Sequence, residues 1–423
     1  MSIEYLRKKL LAKKARADER YKFYEMKHVA PDFNISTPPD LLHFHSSLGW
    51  CTKAVDALSD RLQFREMAND DFGMNDIFVA NNGDILFSSA IQSALIVSCC
   101  FVPIGNTSDG VKLDVVDGRN ATGIIDTSTS LLTEGYAVLD IDPETKKATL
   151  EAHYLPFKTV YYSGSEIVHI DEHASRFPML VPVIYRPDAV RPFGHSRISR
   201  ACMSLMDSAS RTIKRSEISA EFYSYPQKYA TGLSTDAEKI ENWKASMSAM
   251  ITFTKDEDGD HPVLGQFQQQ SMSPHAEQLK MFASAFAGET GLTLDDLGFP
   301  TDNPSSAESI KAAHENLRLM ARKAQADFGT AFRNVGYMAC CMRDSMDYPR
   351  SMFMKARPLW EPVFEPDMSA LSLIGDGAIK INQAVPGFFN DSTLRDLTGI
   401  EPAAEEVGAT IDDVNEVLET EVE

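Results

Sequence analysis

The spacing of apolar residues changes partway along the first half of the chain. Apolar positions three and four residues apart predict a helix over 41–64, and a nearly continuous apolar run predicts a buried helix over 90–100. From about Val111 the period becomes two, and the turn PETKK between two alternating segments predicts a β-hairpin. We therefore expect residues 35–190 to form one mixed domain in which helices precede a sheet.

Three long helices are predicted in the second half of the chain. The first spans about 196–222, with a glycine before its start and a proline after its end. The second begins at Ser273-Pro274 and runs to about residue 287, since proline is favoured at the first helical position. The third is opened by the capping box at 305–308 and runs to about residue 344. Strands and helices thus occupy separate stretches, which indicates an α+β fold.

The helix predicted at 196–222 has two distinct faces. Ile198, Cys202 and Leu205 belong to an apolar stripe, and five basic residues lie within an arc of about 100° opposite or beside that stripe. Such an arc is either a solvated or salt-bridged face, or a contact with a polyanion or an acidic neighbour. The five basic residues are Arg197, Arg200, Arg211, Lys214 and Arg215.

The net charge of the chain argues against one class of function, the coating of nucleic acid. Lys and Arg total 41 and Asp and Glu total 61, so the net charge of the 423 residues is -20. That is the wrong sign for a protein that coats nucleic acid by neutralising phosphates. Residues 1–34 are a basic N-terminal extension and residues 401–423 an acidic tail. We expect a solvated extension and a disordered tail, with contacts of the two ends to different partners as the alternative.

The motifs of several enzyme classes are absent. The sequence has no P-loop, no GxSxG and no GxGxxG after a strand, and its six cysteines show no CxxC spacing. One metal-binding motif remains, because His169, Glu172 and His173 spell HxxEH, which on a helix would bind zinc. The surrounding residues predict a strand end instead, and a zinc-dependent hydrolase is kept as an alternative function. Neither a signal peptide nor a membrane-spanning run is expected.

Three stretches in sequence order resemble the portal proteins of tailed double-stranded DNA bacteriophages. The most informative is LGFPTDNPSSAESIKAAHENLRLMARKAQADF, an acidic loop that leads into a capped long helix. GHSRISRACMSLMDSASRTIKRSEISAEFYSYPQKYATG resembles the first stem helix of that family, and LGWCTKAVDALSDRL resembles its early wing helix. The resemblance covers roughly residues 35–400.

The resemblance implies a portal architecture with a mixed α/β wing, a two-helix stem, a small α/β clip, a long bent helix and a helical crown. The corresponding regions are the wing at 35–195, stem helices at 196–222 and 273–290, the clip at 223–272, a tunnel loop at 291–304, the long helix at 305–345, and the crown with the acidic tail at 346–423.

The resemblance also implies a function. Portal proteins form a dodecameric ring at one capsid vertex, through which DNA is packaged and ejected without sequence specificity. They contact the terminase large subunit, a head–tail connector, and the major capsid and scaffold proteins, and they carry no cofactor or catalytic site. We therefore expect a virion protein that is assembled in the bacterial cytoplasm, with another ring-forming viral head or connector protein as a further alternative.

Two sets of residues are expected to serve the conduit. A bore that DNA must traverse without sticking should be lined by carboxylates, since each phosphate that a basic side chain neutralises deepens binding. We expect Asp295, Asp296 and Asp302 of the tunnel loop to face the bore. The five basic residues of the first stem helix are expected to meet acidic groups of a neighbouring subunit or to form isolated rings in the channel.

Overall fold

Most strands of the described residues lie between Cys99 and Ile184, and the longest helices lie before and after them. The computed structural model describes residues 3–32, 43–108, 110–224, 228–231, 263–266, 271–300, 312–364 and 368–398. The helices are α1 (Ile3–Tyr24), α2 (Trp50–Ser59), α3 (Met74–Ala80), α4 (Gly83–Val97), α5 (Arg200–Ser224), α6 (Ser273–Thr290), α7 (Glu315–Arg343), α8 (Met368–Ala384) and α9 (Asp391–Thr398). No helix in these ranges is both long enough and apolar enough to cross a membrane.

The strands form two larger antiparallel sheets and two small ones. The strands are β1 (Phe64–Ala68), β2 (Cys99–Thr107), β3 (Gly110–Leu113), β4 (Val116–Asp117), β5 (Ala121–Asp126), β6 (Leu131–Ile141), β7 (Ala148–Leu155), β8 (Lys158–Ser163), β9 (Glu166–Glu172), β10 (Leu180–Ile184), β11 (Lys228–Thr231), β12 (Val263–Gln266) and β13 (Arg357–Trp360). One sheet has the order β5-β6-β7-β8-β9, and the other has β10-β2-β3 with β4 also paired to β2. The pairs β1–β13 and β11–β12 are separate two-stranded sheets. The predicted hairpin is confirmed, since β6 pairs with β7.

One hydrophobic core joins the long helix α7 to α3, α4 and the small sheets. Phe328, Phe332 and Val335 of α7 are fully buried. The ring of Phe332 lies 5.2 Å from that of Phe64 on β1 and 4.3 Å from that of Phe87 on α4. This packing explains the apolar stripe of α7, because a helix that lies on a core buries residues at spacings of three and four. The predicted mixed fold is confirmed at the level of helices and antiparallel sheets.

The N-terminal helix α1 corrects the prediction of a solvated basic extension. Leu6 and Leu10 are buried against Tyr136 of β6. Lys9 Nζ donates to the carbonyl of Gly123 at 2.6 Å, and a further basic side chain, Arg20, donates to a backbone carbonyl at 3.1 Å. Lys9 and Arg20 therefore bind the rest of the chain, and Leu6 and Leu10 fill the space between helix and sheet.

Two helix boundaries were also predicted wrongly. Helix α2 covers only part of 41–64, because Phe64 already begins β1 and pairs with Trp360 of β13. Helix α4 ends at Val97, and the buried Cys99 begins β2. In both cases pairing with a strand distant in sequence determines where the helix ends, and the local spacing of apolar residues does not show this pairing. Residues 305–311 of the long helix and the acidic tail at 401–423 lie outside the described residues.

Candidate functional site

Helices α5 and α6 run antiparallel to each other, as the two proposed stem helices would. Ser199, just before α5, donates to Glu289 near the end of α6 at 2.9 Å. Further along α5, the hydroxyl of Thr212 donates to the side-chain carbonyl of Gln278, near the start of α6, at 3.2 Å. The observed α6 has the predicted bounds of the second stem helix, Ser273–Thr290.

Arg197 lies inside the subunit, at the point where α5 begins. Its side chain is 6% exposed, and its Nε donates to the carbonyl of Ala54 on α2 at 3.1 Å. Its Nη2 donates to the carbonyl of Thr290 at 2.6 Å. Thr290 is the last residue of α6, so the guanidinium lies at the negative end of that helix. Arg197 therefore joins the two stem helices to α2.

A short segment after α1, residues 28–32, lies along the basic face of α5. We call it the N-terminal strap. Lys214 Nζ forms an ion pair with Asp32 at 3.0 Å, and Arg211 donates to the carbonyl of Pro31 at 3.3 Å. His28 of the strap contacts Asp207 of α5 at 2.9 Å. The basic arc is therefore partly neutralised by the chain's own residues.

These contacts place two residues of the basic arc in the interior of the chain. Arg197 and Lys214 are each buried, and their expected place at a subunit interface or in the channel stays a prediction. Arg200 is exposed and Arg215 is half-buried, and their contribution to an interface or a channel stays a prediction. Sequence reasoning missed Asp32, since the spacing of a helix does not show which distant segment will cover it.

The acidic loop after α6 is a compact turn whose two aspartates differ in exposure. Asp296 Oδ2 accepts hydrogen bonds from the backbone N–H and the hydroxyl of Thr293, both at 2.9 Å. The buried Leu297 anchors the same turn, whereas the side chain of Asp295 is exposed. Asp302 lies outside the described residues. Asp296 thus holds the shape of the loop, and Asp295 lies on its exposed side.

The HxxEH residues do not assemble into a metal site. His169 on the edge strand β9 is exposed and bonds to Asp171 beside it. His173 lies just beyond the end of β9 and is half-buried, and burial lowers the pKa of its imidazole. Within the described ranges no group of three His, Cys, Asp or Glu residues is placed to hold a metal ion. The zinc hydrolase alternative gains no support from this geometry.

Comparisons with known proteins bear on the predicted family. No family model matches the chain. The portal protein of Mycobacterium phage D29 is 27% identical over 209 residues, which are 48% of this chain and 42% of that protein. The portal protein of Mycobacterium phage L5 is 26% identical over 251 residues, which are 56% of this chain and 49% of that protein. The chain resembles phage portal proteins, as predicted. It spans about half the length of the curated relatives that it matches.

Two solved particle structures are also similar to this chain. The neck of an empty gene transfer agent particle aligns with a TM-score of 0.47 and 12% identity, over 84% of this chain and 90% of that chain. The virion of a native gene transfer agent particle aligns with a TM-score of 0.43 and 13% identity over the same shares.

Proposed function

We propose that the chain is a portal protein, which forms a ring-shaped conduit at a capsid vertex for DNA packaging and ejection. The observation that carries this proposal is its similarity to two mycobacteriophage portal proteins over about half of its length. In this role the chain is a structural component of the virion rather than an enzyme. It would assemble in the bacterial cytoplasm as a ring, with twelve copies as the working number.

The proposed regions follow the elements of the fold. The wing is 35–195, the stem helices are 196–222 and 273–290, which take in most of α5 and all of α6, and the clip is 223–272. The antiparallel contacts between α5 and α6 support a two-helix stem, since they tie both helices of one subunit together along their length. The tunnel loop is 291–304, the long helix is 305–345, and the crown is 346–423.

The acidic tunnel loop is proposed to face the bore. DNA passing through the ring presents about one phosphate charge per 1.7 Å, and a ring of exposed carboxylates repels it rather than holding it. Asp295 is the best candidate among the described residues, because it is exposed on a turn whose shape is fixed by Asp296 and Leu297. Asp302 is proposed for the same role.

The proposed partners are those of a conduit. They are double-stranded DNA without sequence preference, the terminase large subunit at the clip, a head–tail connector, and the major capsid and scaffold proteins. Neither a cofactor nor a membrane is part of the proposal.

The decisive experiment measures the assembly state of the purified chain. Light scattering should give a mass near twelve times 46.9 kDa, and negative-stain images should show rings with a central hole. The comparison sample is the same protein diluted in high salt. Salt screens charge contacts between subunits, so the measured mass should shift toward that of one subunit. A folded chain that stays monomeric at every concentration and salt tested would contradict the proposal.

A further inference from the structure

A pocket beside the middle of α7 contains a buried polar group that has no hydrogen-bond partner. It has a volume of about 450 Å³ and lies between the β5–β6 turn, the end of β10 with the loop that follows it, and the middle of α7. Three prolines, Pro182, Pro187 and Pro192, contribute rigid apolar walls. Asp327 and Asn334 of α7 also line the pocket. Its volume is within the usual range of ligand pockets.

Asn334 supplies a hydrogen-bond donor without an acceptor. The residue is 2% exposed, and its Oδ1 accepts hydrogen bonds from Nε and Nη2 of Arg350 at 3.3 and 3.0 Å. Its Nδ2 is buried and has no hydrogen-bond partner. A buried amide without a partner costs stability, and most such groups in folded proteins are satisfied. A carbonyl oxygen that enters the pocket would satisfy this donor.

Asp327 supplies an acceptor on the same face of α7. Its Oδ2 accepts a hydrogen bond from the backbone N–H of Arg186 at 3.3 Å, and burial raises the pKa of its carboxyl group. Asp327 and Asn334 are seven residues apart, which is about 10 Å along a helix. An extended chain covers that distance in about three residues. The donor and the acceptor are therefore spaced for a short peptide with a carbonyl at one end and a cationic side chain at the other.

We propose that the pocket receives the tip of the β6–β7 hairpin, residues 142–147, from a neighbouring copy of this chain. This inference rests on the proposed ring. The pocket includes Ser130, directly before β6, and the hairpin tip follows the other end of β6. Ten residue steps of strand separate the two ends, or about 34 Å. The hairpin tip and the pocket lie at opposite ends of β6, so a contact between the tip of one copy and the pocket of the next is head-to-tail, the kind that closes into rings.

The charges of the tip and the pocket are complementary. Lys146 and Lys147 are exposed at the tip, and no Lys or Arg is among the residues that line the pocket. Arg186 and Arg191, whose backbone N–H groups bond to the pocket residues Asp327 and Asp188, have exposed side chains that suit Glu144 of the tip.

The turn itself is held in one shape. The carboxylate of Asp142 accepts hydrogen bonds from the hydroxyl of Thr145 and the backbone N–H of Glu144, at 2.5 and 2.9 Å. The backbone of Asp142 also exchanges two hydrogen bonds across the turn, with Lys147 and Lys146, both at 2.9 Å. A tip that is already ordered loses little conformational entropy when it enters a recess.

A double cysteine variant tests the contact directly. All six native cysteines are buried, so introduced thiols can be treated selectively. In Ser130→Cys with Lys147→Cys, the two thiols of one chain are too far apart for a disulfide, which needs Cα atoms within about 7 Å. Oxidation of assembled rings should therefore join chains to one another and give a ladder of covalent oligomers on a non-reducing gel. The matched control is Ser130→Cys with Ser88→Cys, where Ser88 is exposed on α4 away from the hairpin.

Charge reversal gives a second, independent readout. Lys146→Glu with Lys147→Glu should raise the protein concentration needed for half-maximal assembly about tenfold, because like charges then face each other across the contact. Lys112→Glu reverses an exposed lysine on β3 and should leave assembly unchanged. Rings of full mass that give no ladder above the control would overturn the hairpin contact and leave the proposed function standing. A folded chain that never forms rings would contradict both.

Discussion

Replacing Arg197 with alanine should destabilise the subunit, although the sequence places this residue in an outward-facing basic arc. The guanidinium donates to the carbonyls of Ala54 and Thr290, and hydrogen bonds from a charged donor are each worth about 1.5–3 kcal/mol. Part of this is offset, because the variant no longer buries a charge without a carboxylate partner. We therefore expect Arg197→Ala to lower the free energy of unfolding by about 2–4 kcal/mol.

Urea denaturation followed by tryptophan fluorescence measures this loss. Trp50 of α2 lies 5.5 Å, between ring centroids, from Phe286 of α6, so its emission reports on the junction that Arg197 holds. Variants must be compared at one protein concentration, because assembly adds to the apparent stability. Arg200→Ala is the matched control, since Arg200 is exposed three residues further on, and it should change stability by less than about 0.5 kcal/mol. Equal effects of the two variants would refute the interior position of Arg197.

Three further predictions concern single groups. Lys214→Met removes the buried cation that pairs with Asp32 and should lower the free energy of unfolding by about 3–5 kcal/mol in a denaturation experiment. The double variant that adds Asp32→Leu should recover part of that loss. If it recovers nothing, the ion pair is not the cause. Burial lowers the pKa of His153 and of His173. Below the unfolded-state pKa of about 6.5, the unfolded chain therefore binds more protons than the native one. The free energy of unfolding should fall on acidification from neutral pH, by up to about 1.4 kcal/mol per pH unit for each histidine. His173→Leu should make that pH profile shallower, and an unchanged profile would exclude His173 as a source. Asp295→Lys should make assembled rings bind DNA in a salt-dependent way, and each phosphate contact should add about one unit to the slope of log DNA affinity against log salt concentration. Variant rings that do not bind DNA at low salt would argue against a bore position.

Local sequence signals predicted the elements that depend on short-range structure. The bounds of α6 and the pairing of β6 with β7 could be anticipated, because a capping proline and a tight turn act on neighbouring residues. The capping signal at 305–308 lies outside the described residues.

The elements that sequence reasoning misjudged depend on distant contacts. The basic residues of α1 look solvated in the sequence, yet Lys13 is half-buried between helix and sheet, where its Nζ lies 5.3 Å from the ring centroid of Phe101. The strap that covers Lys214 comes from about 180 residues earlier in the chain, and no helical period encodes that approach. A periodic pattern identifies which face of a helix is polar, and only the tertiary structure shows what that face meets.

The interior use of basic side chains bears on how a conduit could avoid holding DNA. Arg197, Lys9 and Arg20 all donate to backbone carbonyls rather than to carboxylates. Each of these contacts draws positive charge toward the interior without neutralising an acidic residue. The carboxylates that give the chain its net charge of -20 therefore keep more of their effect at the surface. For a ring that DNA must traverse, these three cations stabilise the subunit through backbone carbonyls, whereas a lysine introduced at an exposed loop position such as Asp295 should bind phosphates instead.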